Sequence, residues 1–185
     1  MNGAPRPDPA ALRPFLQDRR EAMLDLLDRL TRAESPSDVP ESQLAVRDII
    51  AAELEARGFV VNRVPGRSSG GMLYARPVDG GRPAHLILGH YDTVWPLGTL
   101  EDMPFEQRGD AVHGPGVYDM KGGIAQALLA LDALAHFGTE PAVAPHLFFN
   151  SDEEIGSRES RRYIERLAPQ MDRVFVLEPS LGPSG

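Results

Sequence analysis

Apolar residues recur at helical spacing over residues 14–33, at Leu16, Met23, Leu27 and Leu30. This predicts one amphipathic helix, with Pro14 tolerated in its first turn. After the polar break ESPSDVPES, the stretch QLAVRDIIAAELEARG sets Leu44, Val46, Ile50 and Leu54 on one face and ends at Gly58, a second helix with a C-cap glycine. FVVNRV and MLYARPV read as strands on either side of PGRSSGG, a hairpin or strand pair at a sheet edge. HLILGH, HLFFN and RVFVLE alternate too little to keep one wet face, so they belong in the middle of a sheet covered on both sides. Helical patterns separate these runs. GGIAQALLALDALAHFG carries Ile124, Leu128, Leu131 and Leu134 on one face, and SRESRRYIERLA carries Tyr163, Ile164 and Leu167. Strands alternating with helices predict an α/β fold of three layers, αβα, around a mainly parallel sheet.

Charge changes the picture at the ends of the apolar strands. The first runs into His90 and Asp92, the second into Asp152, Glu153 and Glu154, and the third into Glu178. A fourth cluster, GPGVYDMKGG, places Asp119 just ahead of the Ala-rich helix. In open α/β sheets the ligand crevice lies beyond the carboxyl ends of the strands, which predicts that these groups converge. Carboxylates gathered there would repel, and at least one pKa would rise, unless a cation sat among them. The chain has no cysteine, so a metal must be held by imidazole and carboxylate. That donor set suits Zn²⁺, and also admits Co²⁺ or Mn²⁺. His90 would offer a ring nitrogen while Asp92 accepts its other N–H and fixes the tautomer. Neighbouring Glu153 and Glu154 point in different directions, so one can bind metal while the other stands off by about one water as general base. The irregular stretch 93–118, with WPLGTLEDMP, is long enough to wall such a site.

Taken singly, each cluster has a plainer account. An HxD triplet is usually structural, Asp119 could cap a helix, Glu153 and Glu154 could sit at a solvated helix start, and Glu178 could be a loop residue. Their joint position at one rim carries the metal reading. Other signals drop out: GPGVYD lacks the third glycine of a dinucleotide fingerprint, and RGD at 108–110 reads as a hairpin turn. His85 should face the other side of its strand from His90, and His136 should complement a helix C-terminus; His113 and His146 receive no role.

With 185 residues, 42% of them hydrophobic, the chain suits one soluble domain. A net charge of −8 argues against nucleic acid or an anionic membrane as partner. No apolar run approaches the roughly 18 residues of a membrane span, and the first residues lack a signal-peptide core, so a cytoplasmic location is expected.

GHYDTV, GPGVYDMKGG, NSDEEIGS and LEPS, in this order, resemble the di-zinc metallopeptidase and deacylase family that contains glutamate carboxypeptidase, acetylornithine deacetylase, succinyl-diaminopimelate desuccinylase and aminoacylase. The resemblance runs over residues 24–179, and HYDTVWPLGTL looks most like the glutamate carboxypeptidase branch. It implies a zinc-dependent exopeptidase fold with two zinc ions. His90 and Glu178 would bind one ion, Asp119 would bridge both, and Glu154 would bind the second. Asp92 would orient His90, Glu153 would be the general base, and Asp119–Met120 would be a cis peptide. The implied reaction is cleavage of an amide bond in a small peptide or N-acyl amino acid. Family members continue through a lid or dimerisation domain to a late histidine of the second metal site. Residues 1–185 are therefore expected to be the N-terminal part of a truncated catalytic domain, with homodimerisation left to the lid. The competing expectation is a catalytically incomplete metal-binding fragment or interaction module with an exposed sheet edge.

Overall fold

The computed structural model describes residues 8–79, 83–180 and 182. Helix α1 (Pro9–Asp18) starts on Asp8, whose carboxylate accepts the Ala10 N–H at 2.9 Å, with Pro9 in the first turn. The backbone leaves helical geometry at Arg19 (φ −95°, ψ 1°) and resumes as α2 (Arg20–Arg32). The single helix expected over 14–33 is thus two helices with an earlier start. The break lets each bury its own face, Phe15 on α1 and Leu26, Leu27, Leu30 and Thr31 on α2.

Helix α3 (Gln43–Ala56) buries Val46, Ile50 and Leu54 as expected, but Leu44 is 40% exposed. Gln43 occupies the buried position instead. Its Nε2 donates to the carbonyls of Pro36 and Ser151, both at 3.0 Å, and its Oε1 accepts the Gly70 N–H at 2.6 Å. A buried amide with its hydrogen bonds satisfied outcompetes a leucine one step round the helix.

Strands β1 (Phe59–Val64) and β2 (Met72–Pro77) form the expected antiparallel pair at one side of the sheet. After β3 (Ala84–His90) the chain makes a short helix α4 (Thr99–Asp102) and a small hairpin of β4 (Glu106–Arg108) and β5 (Ala111–His113), with Gly109 and Asp110 at its tip. The RGD triplet is a turn. A wide helical turn, Val117–Lys121, broken at Asp119 (φ −118°, ψ 105°) and containing a cis Asp119–Met120 bond, leads into α5 (Gly122–His136). Then come β6 (Ala144–Asn150), α6 (Arg161–Leu167) and β7 (Arg173–Val176).

The sheet order is β1-β2-β6-β3-β7, with β6, β3 and β7 parallel and β2 antiparallel to β6. Helices α2, α3 and α5 cover one face through Leu30, Ile50, Leu54, Ile124 and Leu128 against Leu147 and Phe149. On the other face Tyr163, Ile164, Leu167 and Met171 pack on Met72, Leu86 and Phe148. Three layers result, and every residue of β6 is buried. β7 differs from its expected central place. It pairs only with β3 and leaves Val174, Phe175 and Val176 39%, 46% and 55% exposed, because it is the outermost strand among the described residues. Among those residues no helix is long and apolar enough to cross a membrane.

Candidate metal centre

The parallel strands β3, β6 and β7 bring their carboxyl ends to the same edge, and the predicted site residues follow them. His90 closes β3 in register with Asn150 at the end of β6. Its imidazole is buried, with Nε2 3.1 Å from Asp119 Oδ1, 3.4 Å from Glu178 Oε1 and 3.8 Å from Glu153 Oε2. Two groups of donor atoms lie within 4.8 Å of one another, His90 with Asp119 and Glu154, and His90 with Glu153 and Glu178.

The other ring nitrogen faces Asp92. Nδ1 is 3.0 Å from the Asp92 carbonyl oxygen and 3.3 Å from its carboxylate. A proton held at Nδ1 leaves the Nε2 lone pair facing the carboxylates, which is the tautomer a metal ligand needs. Asp92 is fully buried and its carboxylate accepts three further hydrogen bonds: Ser37 Oγ at 2.7 Å and the backbone N–H groups of Glu153 and Glu154, each at 3.2 Å. One carboxylate therefore fixes both the imidazole and the loop that carries the two glutamates.

Two glycines allow the close approaches. A Cβ on Gly89 would lie 2.8 Å from Met120 Cε, and one on Gly123 would lie 2.3 Å from the Leu177 carbonyl oxygen. The bare backbones let the Asp119 turn seat against β3 and let Glu178 draw up to the start of α5. Met120 is buried, and its sulfur accepts the His90 N–H at 3.1 Å.

Burial and neighbouring charges shift the protonation of Glu154, Glu178 and His90. Burial and the neighbouring Asp119 push Glu154 up to about 7. Burial, with Asp119 and Glu153, also raises Glu178 above the usual carboxylate range. Burial opposes a charged His90, but the Asp92 hydrogen bond and the charges of Asp92, Glu178 and Glu153 outweigh it and push the imidazole up to about 9. An imidazole and carboxylates that take up protons to relieve mutual repulsion fit a divalent cation by donor type and by spacing.

Asp152 does not join this cluster. Its carboxylate accepts N–H bonds from Glu159 and Ser160 at 2.6 and 3.1 Å and from Asn150 Nδ2 at 3.0 Å, which closes the loop behind the glutamates. Among the other histidines, His85 packs edge-on against Phe175, His136 stacks on Phe15 in the last turn of α5, and His146 Nδ1 meets Tyr74 Oη at 2.7 Å. Sequence reasoning passed over Ser37 and Lys121. Lys121 is fully buried and donates to the Leu30 and Ala33 carbonyls at 2.9 and 3.1 Å. A lysine directly ahead of an apolar helix, two residues from an acidic candidate ligand, was the available signal.

The fold and the site together define an α/β protein with a cluster of imidazole and carboxylate groups, of a donor type and spacing that could hold a divalent metal, beyond its parallel strands. The chain belongs to Peptidase family M20/M25/M40, whose pattern matches residues 86–185. It is 34% identical over 181 residues to carboxypeptidase G2 of Pseudomonas sp. (strain RS-16), which covers 91% of this chain and 43% of that protein. Succinyl-diaminopimelate desuccinylase of Rhizorhabdus wittichii is 36% identical over 138 residues, 71% of this chain and 35% of its own length. The chain thus spans about two fifths of the length of these curated relatives. The fold is similar to that of human carnosine dipeptidase 1, with a TM-score of 0.76 at 17% identity over 89% of this chain and 40% of that one. It is also similar to the M20 family metallo-carboxypeptidase Sso-CP2 of Sulfolobus solfataricus, with a TM-score of 0.67 at 22% identity over 90% and 38%.

Proposed function

We propose that this chain carries the metal-binding part of a di-zinc amidohydrolase that cleaves a small peptide or an N-acyl amino acid. The observation that carries the reading is the convergence on His90 Nε2 of Asp119 Oδ1 at 3.1 Å and Glu178 Oε1 at 3.4 Å, from separate strand and helix ends, with Glu154 within reach of the same His90 and Asp119 donors. The names of the relatives, a carboxypeptidase and a desuccinylase, support an amide substrate.

In this reading His90, Glu178 and Asp119 would hold one ion, and Asp119 with Glu154 would hold the second. Bound zinc would supply Lewis acidity, polarising the scissile carbonyl and acidifying the attacking water. Asp92 keeps the His90 proton on Nδ1, so that Nε2 remains a donor. Glu153, with its side chain 47% exposed beside His90, takes the proton from the attacking water and delivers it to the leaving amine nitrogen. Water and amide thereby become a carboxylic acid and an amine.

The chain's share of its relatives' length and the apolar outer strand β7 support reading residues 1–185 as the N-terminal part of a catalytic domain. The lid, any homodimer formed through it, and the remaining catalytic segment would then belong to a longer protein. The acidic composition supports small substrates rather than nucleic acid or an anionic membrane as partners.

Zinc titration by calorimetry tests the reading. Binding by the wild-type chain that is lost in His90→Ala and Asp119→Ala supports it, whereas a wild-type chain that binds no zinc overturns it.

A further inference from the structure

The turn that carries Asp119 is held on two sides. Toward the sheet, Met120 fills the space over Gly89 and takes the His90 N–H on its sulfur. Toward the helices, Lys121 crosses to α2. Its Nζ donates to the carbonyls of Leu30 and Ala33 at 2.9 and 3.1 Å, where α2 ends and its last carbonyls have no helical partner. Lys121 has 1% of its surface exposed, so these bonds face no competition from water. Asp119 itself is different, with 52% of its side chain exposed. Apart from the 3.1 Å approach of Oδ1 to His90 Nε2, no described residue cages its carboxylate with the hydroxyl and backbone N–H donors that fix Asp92, and its position therefore depends on the backbone that carries it.

We infer that Lys121 is a positioning residue for the metal centre, tying the Asp119 turn to the C-terminus of α2 so that the Asp119 carboxylate stands preset beside His90. This rests on the metal reading above and adds a residue outside the proposed ligand set. The physical reason is pre-organisation. A ligand two residues from a fixed anchor loses little conformational freedom on binding a cation, while the same ligand on a loosened turn must be ordered at the cost of affinity. The two N–H bonds also suit the negative end of the α2 dipole.

The test compares the wild-type chain with Lys121→Met, which keeps the length of the stem and removes the donors, and Lys121→Gln, which keeps two N–H donors on a shorter stem. Leu54→Ala, in the core under α3, serves as a control for lost stability alone. Zinc chloride affinity is read by calorimetry, and the visible spectrum with Co²⁺ reports the donor set. Lys121→Met should weaken zinc binding by about tenfold or more and shift the Co²⁺ spectrum, with Lys121→Gln in between. Leu54→Ala should lower the melting temperature while leaving the zinc affinity of the folded chain and the Co²⁺ spectrum unchanged. Wild-type zinc binding that Lys121→Met leaves intact overturns the inference and leaves the metal reading standing. A wild-type chain that binds no zinc removes the metal reading itself. If the Lys121 variants do not fold, amide exchange on the wild type decides. Zinc should slow exchange in the last turn of α2 together with residues 117–121, and unchanged exchange at α2 overturns the inference.

Discussion

The backbone N–H of Glu154 donates to Asp92 Oδ2 at 3.2 Å, joining the loop after β6 to the segment after β3. Because the Asp92 carboxylate also lies 3.3 Å from His90 Nδ1, a single buried group sets the orientation of the imidazole and of the acidic loop.

Replacing Asp92 with Asn removes the negative charge and one of its two acceptor oxygens while keeping the shape. Zinc affinity should fall by roughly 10- to 100-fold, the usual cost of losing the partner that orients a metal-bound histidine. Calorimetry on Asp92→Asn checks this. An affinity equal to wild type would remove Asp92 from the role.

In a protein completed by the lid and the remaining catalytic segment proposed above, Glu153→Gln should reduce turnover by about 10²- to 10⁴-fold, the range for loss of a proton carrier, with bound zinc nearly unchanged. Asp119→Ala should lose both metal and activity, since its carboxylate is proposed to serve both ions. Metal analysis beside an N-acyl-glutamate hydrolysis assay separates the two roles. A Glu153→Gln protein that is active and depleted of metal would reverse them.

Zinc binding by the chain should release protons and tighten as pH rises. His90, pushed up to about 9, and Glu154, pushed up to about 7, hold protons that a cation must displace. Both folded pKa values stand above their unfolded ones. The stability they contribute to the metal-free chain is therefore full below the unfolded values and is lost as pH rises through the folded ones. The melting temperature of the metal-free chain should fall between about pH 5 and 7 for this reason, before Lys121, which burial pushes down to about 7, adds a contribution of opposite sign at higher pH, and zinc should reverse the fall. Melting curves with and without chelator across that range give the sign directly.

Gln43→Leu should destabilise the metal-free chain by about 3 kcal/mol, because it strands the Gly70 N–H and the Pro36 and Ser151 carbonyls in the interior. Urea unfolding measures it. A variant as stable as wild type would show that those groups find other partners.

His90, Asp92, Asp119, Glu153, Glu154 and Glu178 were legible in the sequence because each follows or precedes a strongly patterned element. Parallel strands bring all their carboxyl ends to one edge. The same patterning marked the three layers, the β1–β2 pair and the turn at Gly109. An apolar run says that a strand tolerates burial, but does not count its neighbours. Only the tertiary structure put β7 outermost with Phe175 exposed. Periodicity also weighs side chains by polarity alone, so it favoured Leu44 over Gln43, whose burial depends on partners as distant in sequence as Ser151. Ser37 was silent for the same reason, and Lys121 showed only its place ahead of an apolar helix, not what it bonds to. Their bonds to Asp92 and to Leu30 span 55 and 91 positions, and a long-range hydrogen bond leaves no period in the chain that makes it.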